Sequence, residues 1–413
     1  MSLRKTCRGG TLTSLRATAL GLLVIAAPEC AADVSVSVSQ AAAYDTNPLL
    51  QANEFASGDW ISTSRLRAQL DQPIGRQRFT AYADAGHQEF FRRGDLTNNP
   101  YGVGADWDWS AANLWEGELG GDHQRQLFRF AQQSTDSNRN LEDVSRAWFR
   151  VRKGVVTKLS FEAAATAFRR DFSSATFSAN GQKYVAGEGG LRFQPSPDLS
   201  LRTLFRYTRG AYPERTESGD DYTRRDIELG VNWQPSGASS IKARASIGQE
   251  DHSLETIGSL NVWAAGLDWN WKPSGKLDFG LSVGRDSDAG SATVLVVTPE
   301  GGLDLGNAGN IRVTTSASAK LVWAATGKIS VTSRVRVSDR SLDSSRSGVL
   351  GSKGSDLSSE VDIGVLYRVA RSLDLSCGMA FDHRSTSGNA GALTFGYDGK
   401  SGQCTAAFWI ARP

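Results

Sequence analysis

The stretch Trp233-Gln234-Pro235-Ser236-Gly237 occurs again, little changed, as Trp271-Lys272-Pro273-Ser274-Gly275. In both copies an alternating apolar–polar segment ends at an aromatic residue, turns tightly and continues as a second alternating segment. Proline and glycine favour such turns, because one fixes φ and the other accepts positive φ. Weaker copies follow three other aromatic residues. The pattern predicts hairpin turns at one end of a barrel, behind a girdle of interface aromatics: Phe193, Trp233, Trp271, Trp323 and Tyr367.

The segments between these turns alternate apolar and polar residues with a period of two. In one example Ile227, Leu229 and Val231 alternate with Glu228 and other polar residues. Strands of soluble proteins average about 5–6 residues, whereas membrane-spanning strands need ~9–11, which is the length seen here. Eight short turns and nine longer polar connections can be placed along the chain. We therefore predict an all-β, transmembrane, antiparallel up-and-down barrel of about 18 strands (16–18), beginning at Val34.

The first 32 residues differ from the rest of the chain. Four basic residues precede or flank a short apolar run from Ala17 to Pro28, which is followed by Cys30-Ala31-Ala32. The run is too short for a membrane helix, which needs ~20 residues. This order is typical of a secretory signal peptide. We expect residues 1–32 to be the signal peptide, cleaved after Ala32, and residues 33–413 to be the barrel.

Composition excludes several classes of protein. Hydrophobic residues make up 39% of the chain and the mean hydropathy is −0.34, which is low for a helical membrane protein. The net charge of +2 comes mainly from the first 32 residues, so the remainder is about neutral. We therefore expect no nucleic-acid partner. A secreted, soluble β-protein with a packed core remains the competing interpretation of the alternation.

Arginine is frequent at the polar positions of the alternation. Charges on the lipid side of a barrel cost about 2–4 kcal/mol each at the membrane midplane, so we expect these arginines to face the lumen. Guanidinium groups bind carboxylates and phosphates bidentately, but they can equally pair with lumen carboxylates such as Glu228. The candidate contacts for an acidic glycan are Arg65, Arg67, Arg150, Arg152, Arg202, Arg206, Arg244, Arg312, Arg334, Arg336 and Arg368.

Two cysteines follow residue 32. Cys377 and Cys404 share the parity of their apolar neighbours, and folding the last hairpin about Gly391 places them opposite each other. An exported chain reaches an oxidising compartment, so we predict a cross-strand disulfide. Two reduced, lipid-facing residues are the alternative.

No catalytic or metal-binding pattern emerges from the sequence. The four histidines lie on different hairpins without the spacing of zinc ligands, so we expect no metal and no cofactor. The acidic pairs Asp220-Asp221 and Glu250-Asp251 could imitate the carboxylates of a glycosidase, but we interpret them as solvated loop charges. No nucleophile elbow or phosphate-binding loop is present. The sequence predicts a protein that is not an enzyme.

Several segments, taken in order, resemble one known family. They are Tyr44-Asp45-Thr46-Asn47-Pro48, Ile74-Gly75-Arg76-Gln77-Arg78-Phe79, Trp107-Asp108-Trp109 with Trp115-Glu116-Gly117-Glu118-Leu119-Gly120, Phe395-Gly396-Tyr397-Asp398 and Cys404-Thr405-Ala406-Ala407-Phe408. The chain resembles the EpsL-type exopolysaccharide-associated outer-membrane proteins of the beta-barrel porin 2 group. The resemblance implies a bacterial outer-membrane barrel, without enzymatic activity or cofactor. Its implied partners are outer-membrane lipid, an extracellular polysaccharide and other polysaccharide-export components.

From these observations we expect an outer-membrane barrel that takes part in exopolysaccharide biosynthesis or export and offers an arginine-rich lumen to the glycan. The first alternative is a general diffusion porin for small solutes. Others are an outer-membrane enzyme acting on lipid or glycan, and a soluble secreted binding protein.

Overall fold

A computed structural model describes residues 33–129, 139–215, 219–255, 257–297, 303–343, 353–388 and 394–411. The predicted signal peptide lies outside these residues. The first nine strands are β1 (Asp33–Asp45), β2 (Asp59–Ile74), β3 (Gln77–Phe90), β4 (Tyr101–Ala111), β5 (Trp115–Leu127), β6 (Leu141–Lys153), β7 (Leu159–Phe172), β8 (Gln182–Ser196) and β9 (Leu199–Tyr212). The others are β10 (Asp220–Ser236), β11 (Ser239–His252), β12 (Ser259–Ser274), β13 (Leu277–Val297), β14 (Leu303–Ala324), β15 (Ile329–Asp343), β16 (Lys353–Ala370), β17 (Leu373–Gly388) and β18 (Tyr397–Ala411).

The strands form one closed antiparallel sheet. Each strand pairs with its neighbours in the chain, and β1 also pairs with β18, for example Gln40 with Ala406. All 18 strands therefore lie in one barrel, which confirms the predicted fold class and strand number. Because the sheet closes, no strand is left at an open edge, as a membrane requires.

Two kinds of connection separate the two ends of the barrel. At the turn end, strands meet across a few residues, and β10 and β11 are joined through the predicted Pro235 turn. Gly75 and Gly154 have φ of 65° and 90° in two of these turns, a conformation that favours glycine. At the loop end the connections are longer. They include a 3-10 turn (Gly94–Leu96) and the short helix α1 (Ala175–Ser178). In an outer-membrane barrel the turn end is periplasmic and the loop end extracellular.

The two faces of the sheet differ in chemistry. Leu66, Ile363 and their counterparts on other strands are about half exposed on the outer face, where the barrel meets lipid. The alternate residues point inward and are largely charged or polar. The soluble alternative is wrong, because the apolar residues coat the outside of a closed barrel instead of filling a core between two sheets.

Among the described residues, no helix combines the length and apolarity needed to cross a bilayer.

Candidate functional site: the barrel lumen

The lumen wall is crossed by ion pairs between neighbouring strands. Arg150 Nη1 lies 3.0 Å from Glu118 Oε2, and Arg334 Nε lies 2.8 Å from Asp362 Oδ2. Glu228 receives two arginines, with Arg202 Nη2 at 2.6 Å and Arg206 Nη2 at 3.7 Å. The strand register produces these contacts, since it brings alternate residues of adjacent strands together on one face.

The predicted arginines all lie on strand positions that face the lumen, but they differ in their partners. Six form ion pairs with lumen carboxylates: Arg65, Arg150, Arg152, Arg202, Arg206 and Arg334. Within the described residues, four have no ion pair: Arg67, Arg244, Arg336 and Arg368. Arg312 lines a cleft of about 350 Å³ with Arg340, Arg384 and Asp356. The arginines are thus spread around the wall and do not converge on one site.

The ion pairs do not fill the lumen. The side chains of Arg65, Arg150 and Arg334 are 50%, 61% and 49% exposed although they point inward. Two larger clefts lie against the wall. One, of about 630 Å³, is lined by Tyr82, Trp148 and neighbouring polar residues. The other, of about 440 Å³, lies nearer the loop end and includes Tyr184.

Loops narrow the mouth at the loop end. Inward-facing Ile61 and Phe90 are covered by Leu49, Leu96 and Phe177, which come from three different connections. Leu49 and Leu96 are almost completely buried. This apolar cluster, which resembles the core of a soluble protein, therefore closes part of the opening beside strands β1 to β8.

Polar contacts hold the connection between β1 and β2 in this position. The Asn47 side-chain amide donates to the backbone oxygens of Gln51 at 2.7 Å and Asp398 at 3.1 Å. Arg129 Nη2 donates to Asp45 Oδ2 at 2.7 Å. In the neighbouring connection Arg93 donates to Asp95, and these hydrogen bonds lower the pKa of the Asp95 carboxyl. The bonds to Asp398 of β18 and Asp45 of β1 tie these connections to the barrel rim, and the others hold the shape of each loop.

A second buried group, the Asp220 cluster, consists of Arg215, Asp220, Glu250 and His252. Asp220 Oδ2 lies 2.7 Å from Arg215 Nη1 and 2.9 Å from His252 Nδ1. His252 Nε2 lies 2.8 Å from Glu250 Oε1. The side chains of Arg215, Asp220 and His252 are at most 1% exposed. Buried charges are tolerated only when paired in this way.

The Asp220 cluster corrects one expectation from the sequence. Asp220 and Glu250 were predicted to be solvated loop charges, but both are buried. Asp220 pairs with Arg215 of the preceding loop and His252 of the next strand, and Glu250 pairs with His252 and with Arg224 of β10. The cluster therefore forms only when β10 and β11 are paired, which the sequence alone does not show. Among the described residues, no group of three or more histidine, cysteine, aspartate or glutamate side chains is arranged to hold a metal ion.

The outer face carries the other predicted residues. Phe193, Trp233, Trp271, Trp323 and Tyr367 are each between 41% and 46% exposed and lie near the turn end. Cys377 and Cys404 face each other in the register of β17 and β18, and their Sγ atoms are bonded. Both lie on the lipid side, so neither contributes to the lumen.

Comparison with known proteins shows a similarity of fold only. No protein-family model matches the chain, and no curated protein matches it. OccAB3 of Acinetobacter baumannii is 10% identical with a TM-score of 0.48, covering 92% of this chain and 100% of that one. OccK2 (OpdF) of Pseudomonas aeruginosa is 12% identical with a TM-score of 0.48, covering 92% and 98%. OpdK of Pseudomonas aeruginosa, solved with vanillate, is 12% identical with a TM-score of 0.45, covering 92% and 98%.

These findings agree with an outer-membrane, porin-like barrel of the Gram-negative type. They contradict the expected role in exopolysaccharide biosynthesis or export, because the similar structures are of Occ and Opd proteins. The resemblance to EpsL-type proteins is not tested by the comparisons and stays a prediction.

Proposed function

We propose that the protein is a diffusion porin, which lets small polar solutes cross the outer membrane through the barrel without chemical change. The main support for the proposal is the exposure of arginines in the middle of the strands. The side chains of Arg65 and Arg334, for example, point into the lumen and are about half exposed. A lumen filled by side chains would bury these groups. Barrels of 16–18 strands are also wide enough to leave an aqueous channel.

The balance of positive and negative side chains in the lumen supports the passage of solutes without strong selection between cations and anions. Lumen arginines are interleaved with carboxylates, as in the contacts of Glu228 with Arg202 and Arg206. Paired charges offer both donors and acceptors to a polar solute, and they keep the wall hydrated. The narrowed mouth would then limit the size of the solutes that enter.

Reconstitution into planar bilayers and liposomes tests the proposal. We expect stepwise ionic conductance from the folded barrel and liposome swelling rates that fall as the solute becomes larger. The heat-unfolded protein at the same concentration is the control and should give neither. A folded barrel that conducts no ions and admits no solute would contradict the proposal.

A further inference from the structure

The inner wall carries aromatic side chains at positions where polar residues are the rule. Four of them, Tyr82, Phe168, Tyr184 and Tyr222, lie on one row of directly paired residues that crosses strands β3 to β10. From Tyr82 on β3 the row passes to Gly104, Asp122 and Arg146. It continues through Phe168, Tyr184, Gly210 and Tyr222. We call this the aromatic row.

The aromatic row climbs from one end of the barrel toward the other. Tyr82 lies in the half of β3 nearer the turn end, whereas Tyr222 lies near the loop end of β10. Strands of a closed barrel are tilted, so a row of directly opposed residues rises as it passes around the wall. The row therefore runs from the mouth at the loop end into the lower half of the lumen, with glycine, Asp122 and Arg146 between its aromatic residues.

At the lower end of the aromatic row lies Tyr82, and Trp148 on β6 lies beside the row, two residues from Arg146. Both rings lie flat against the wall because glycine occupies the adjacent strand. A Cβ on Gly104 would lie 2.4 Å from Tyr82 Cε1, and a Cβ on Gly120 would lie 2.5 Å from Trp148 Cζ2. Neither position could carry a side chain with the ring in place. Aromatic rings commonly cover glycines of neighbouring strands in this way. Both rings are half-buried, so part of each remains accessible from the lumen.

Polar groups of both kinds surround the two rings. Trp148 Nε1 donates to Asp106 Oδ2 at 3.1 Å, which fixes the indole. Asp122 and Arg146 line the same cleft of about 630 Å³. Within the described residues, neither makes a hydrogen bond or an ion pair, although the Arg146 guanidinium lies 5.9 Å from the centroid of the Phe168 ring. The cleft thus combines flat apolar surfaces with a free acceptor and a free donor.

We propose that this cleft binds the rings of small saccharides, such as a disaccharide, as they pass through the barrel. The proposal rests on the proposed function of a diffusion porin and names a class of solute for it. The apolar face of a sugar ring stacks on Tyr82 and Trp148, while its hydroxyl groups donate to Asp122 and accept from Arg146. Sites for small molecules usually combine aromatic walls with a few placed polar groups, and span 300–1,000 Å³.

The upper part of the aromatic row lies on the route that a solute would take from the mouth to the cleft. The Phe168 and Tyr184 rings stack with centroids 5.0 Å apart, and both are half-buried. Tyr222 is only 5% exposed and belongs to the wall of the mouth. The open part of the path therefore runs from Tyr184 down to Tyr82.

Two measurements with maltose and sorbitol test the proposal. Maltose contains sugar rings, whereas sorbitol offers hydroxyl groups on an open chain. In equilibrium binding to the detergent-solubilised barrel, we expect saturable binding of radiolabelled maltose and none of sorbitol. Trp148→Ala should raise the maltose concentration at half-saturation about tenfold, the scale of one lost aromatic contact. Tyr82→Ala should act in the same direction, so the outcome does not depend on one variant folding.

The matched control is Trp323→Ala, which removes an aromatic residue from the outer face and should leave maltose binding unchanged. Equal binding of maltose and sorbitol, or full binding by both Trp148→Ala and Tyr82→Ala, would overturn the saccharide cleft. Single-channel current recorded without sugar tests the pore separately. Absence of current with intact maltose binding would overturn the diffusion porin while leaving the cleft in place.

Discussion

Different kinds of contact stabilise the barrel wall and the mouth at the loop end. In the wall, each residue meets partners set by the register, and outer and inner faces alternate along every strand. In the mouth, Leu49, Leu96 and Phe177 come together from separate loops, as in a soluble core. The wall distributes its stability over many similar contacts, whereas the mouth depends on a few buried ones. Single substitutions should therefore affect the two regions unequally.

The largest effect is expected in the mouth, from Arg215→Ala. Arg215 is buried and paired with Asp220, so its loss leaves a buried carboxylate with one partner fewer. Breaking such a pair costs about 3–5 kcal/mol. We expect the connection between β9 and β10 to leave its position, seen as faster amide hydrogen exchange near Tyr212. Arg169→Ala is the control, because Arg169 and its partner Asp171 are both exposed. Equal exchange in the two variants would mean that the mouth is no more sensitive than the wall.

A smaller effect is expected from the Cys377–Cys404 bond, which links two strands already paired in the wall. Closing a loop of this size contributes about 3.5 kcal/mol in the chain-entropy model. Reduction should lower the free energy of unfolding in lipid vesicles by that order without opening the barrel. The double variant Cys377→Ser with Cys404→Ser should show the same stability with and without reductant. Free thiols in peptides mapped without reduction would contradict the disulfide.

The smallest effect is expected for one ion pair of the lumen wall. Arg150 lies 3.0 Å from Glu118, but its side chain is 61% exposed to the lumen. Exposed pairs contribute about 0.2–1 kcal/mol. Arg150→Ala should therefore change the free energy of unfolding by about 1 kcal/mol or less. A loss as large as that of Arg215→Ala would show that the lumen is drier and more tightly packed than we describe.

The same contrast explains what could be predicted from the sequence. The wall follows from a period of two, and the turns follow from residues such as Pro235 and Gly75, whose local chemistry fixes the backbone. Cys377 and Cys404 could be matched because a single hairpin determines their offset.

The mouth could not be predicted, since most of its contacts join separate loops, as between Leu49, Leu96 and Phe177, and burial is set by the fold. Arg215 and Asp220 look like ordinary loop charges until the fold buries them. The aromatic row requires the register of every strand from β3 to β10, which the sequence does not supply. Part of its signal is visible in the sequence, because Tyr82, Phe168 and Tyr184 occupy positions of polar parity. The predicted glycan function failed for another reason, since a resemblance in short segments does not fix what passes through a barrel.

The central claim is that water fills the lumen and lipid covers the other face. Arg65 and Leu66 are neighbours in β2, on the inner and outer face respectively. The most direct test records single-channel current while a charged, water-soluble thiol reagent is added to Arg65→Cys or Leu66→Cys. We predict that the current through Arg65→Cys falls in discrete steps, while Leu66→Cys is unaffected. A response from Leu66→Cys alone, or labelling of Arg65→Cys without any change in current, would contradict the account.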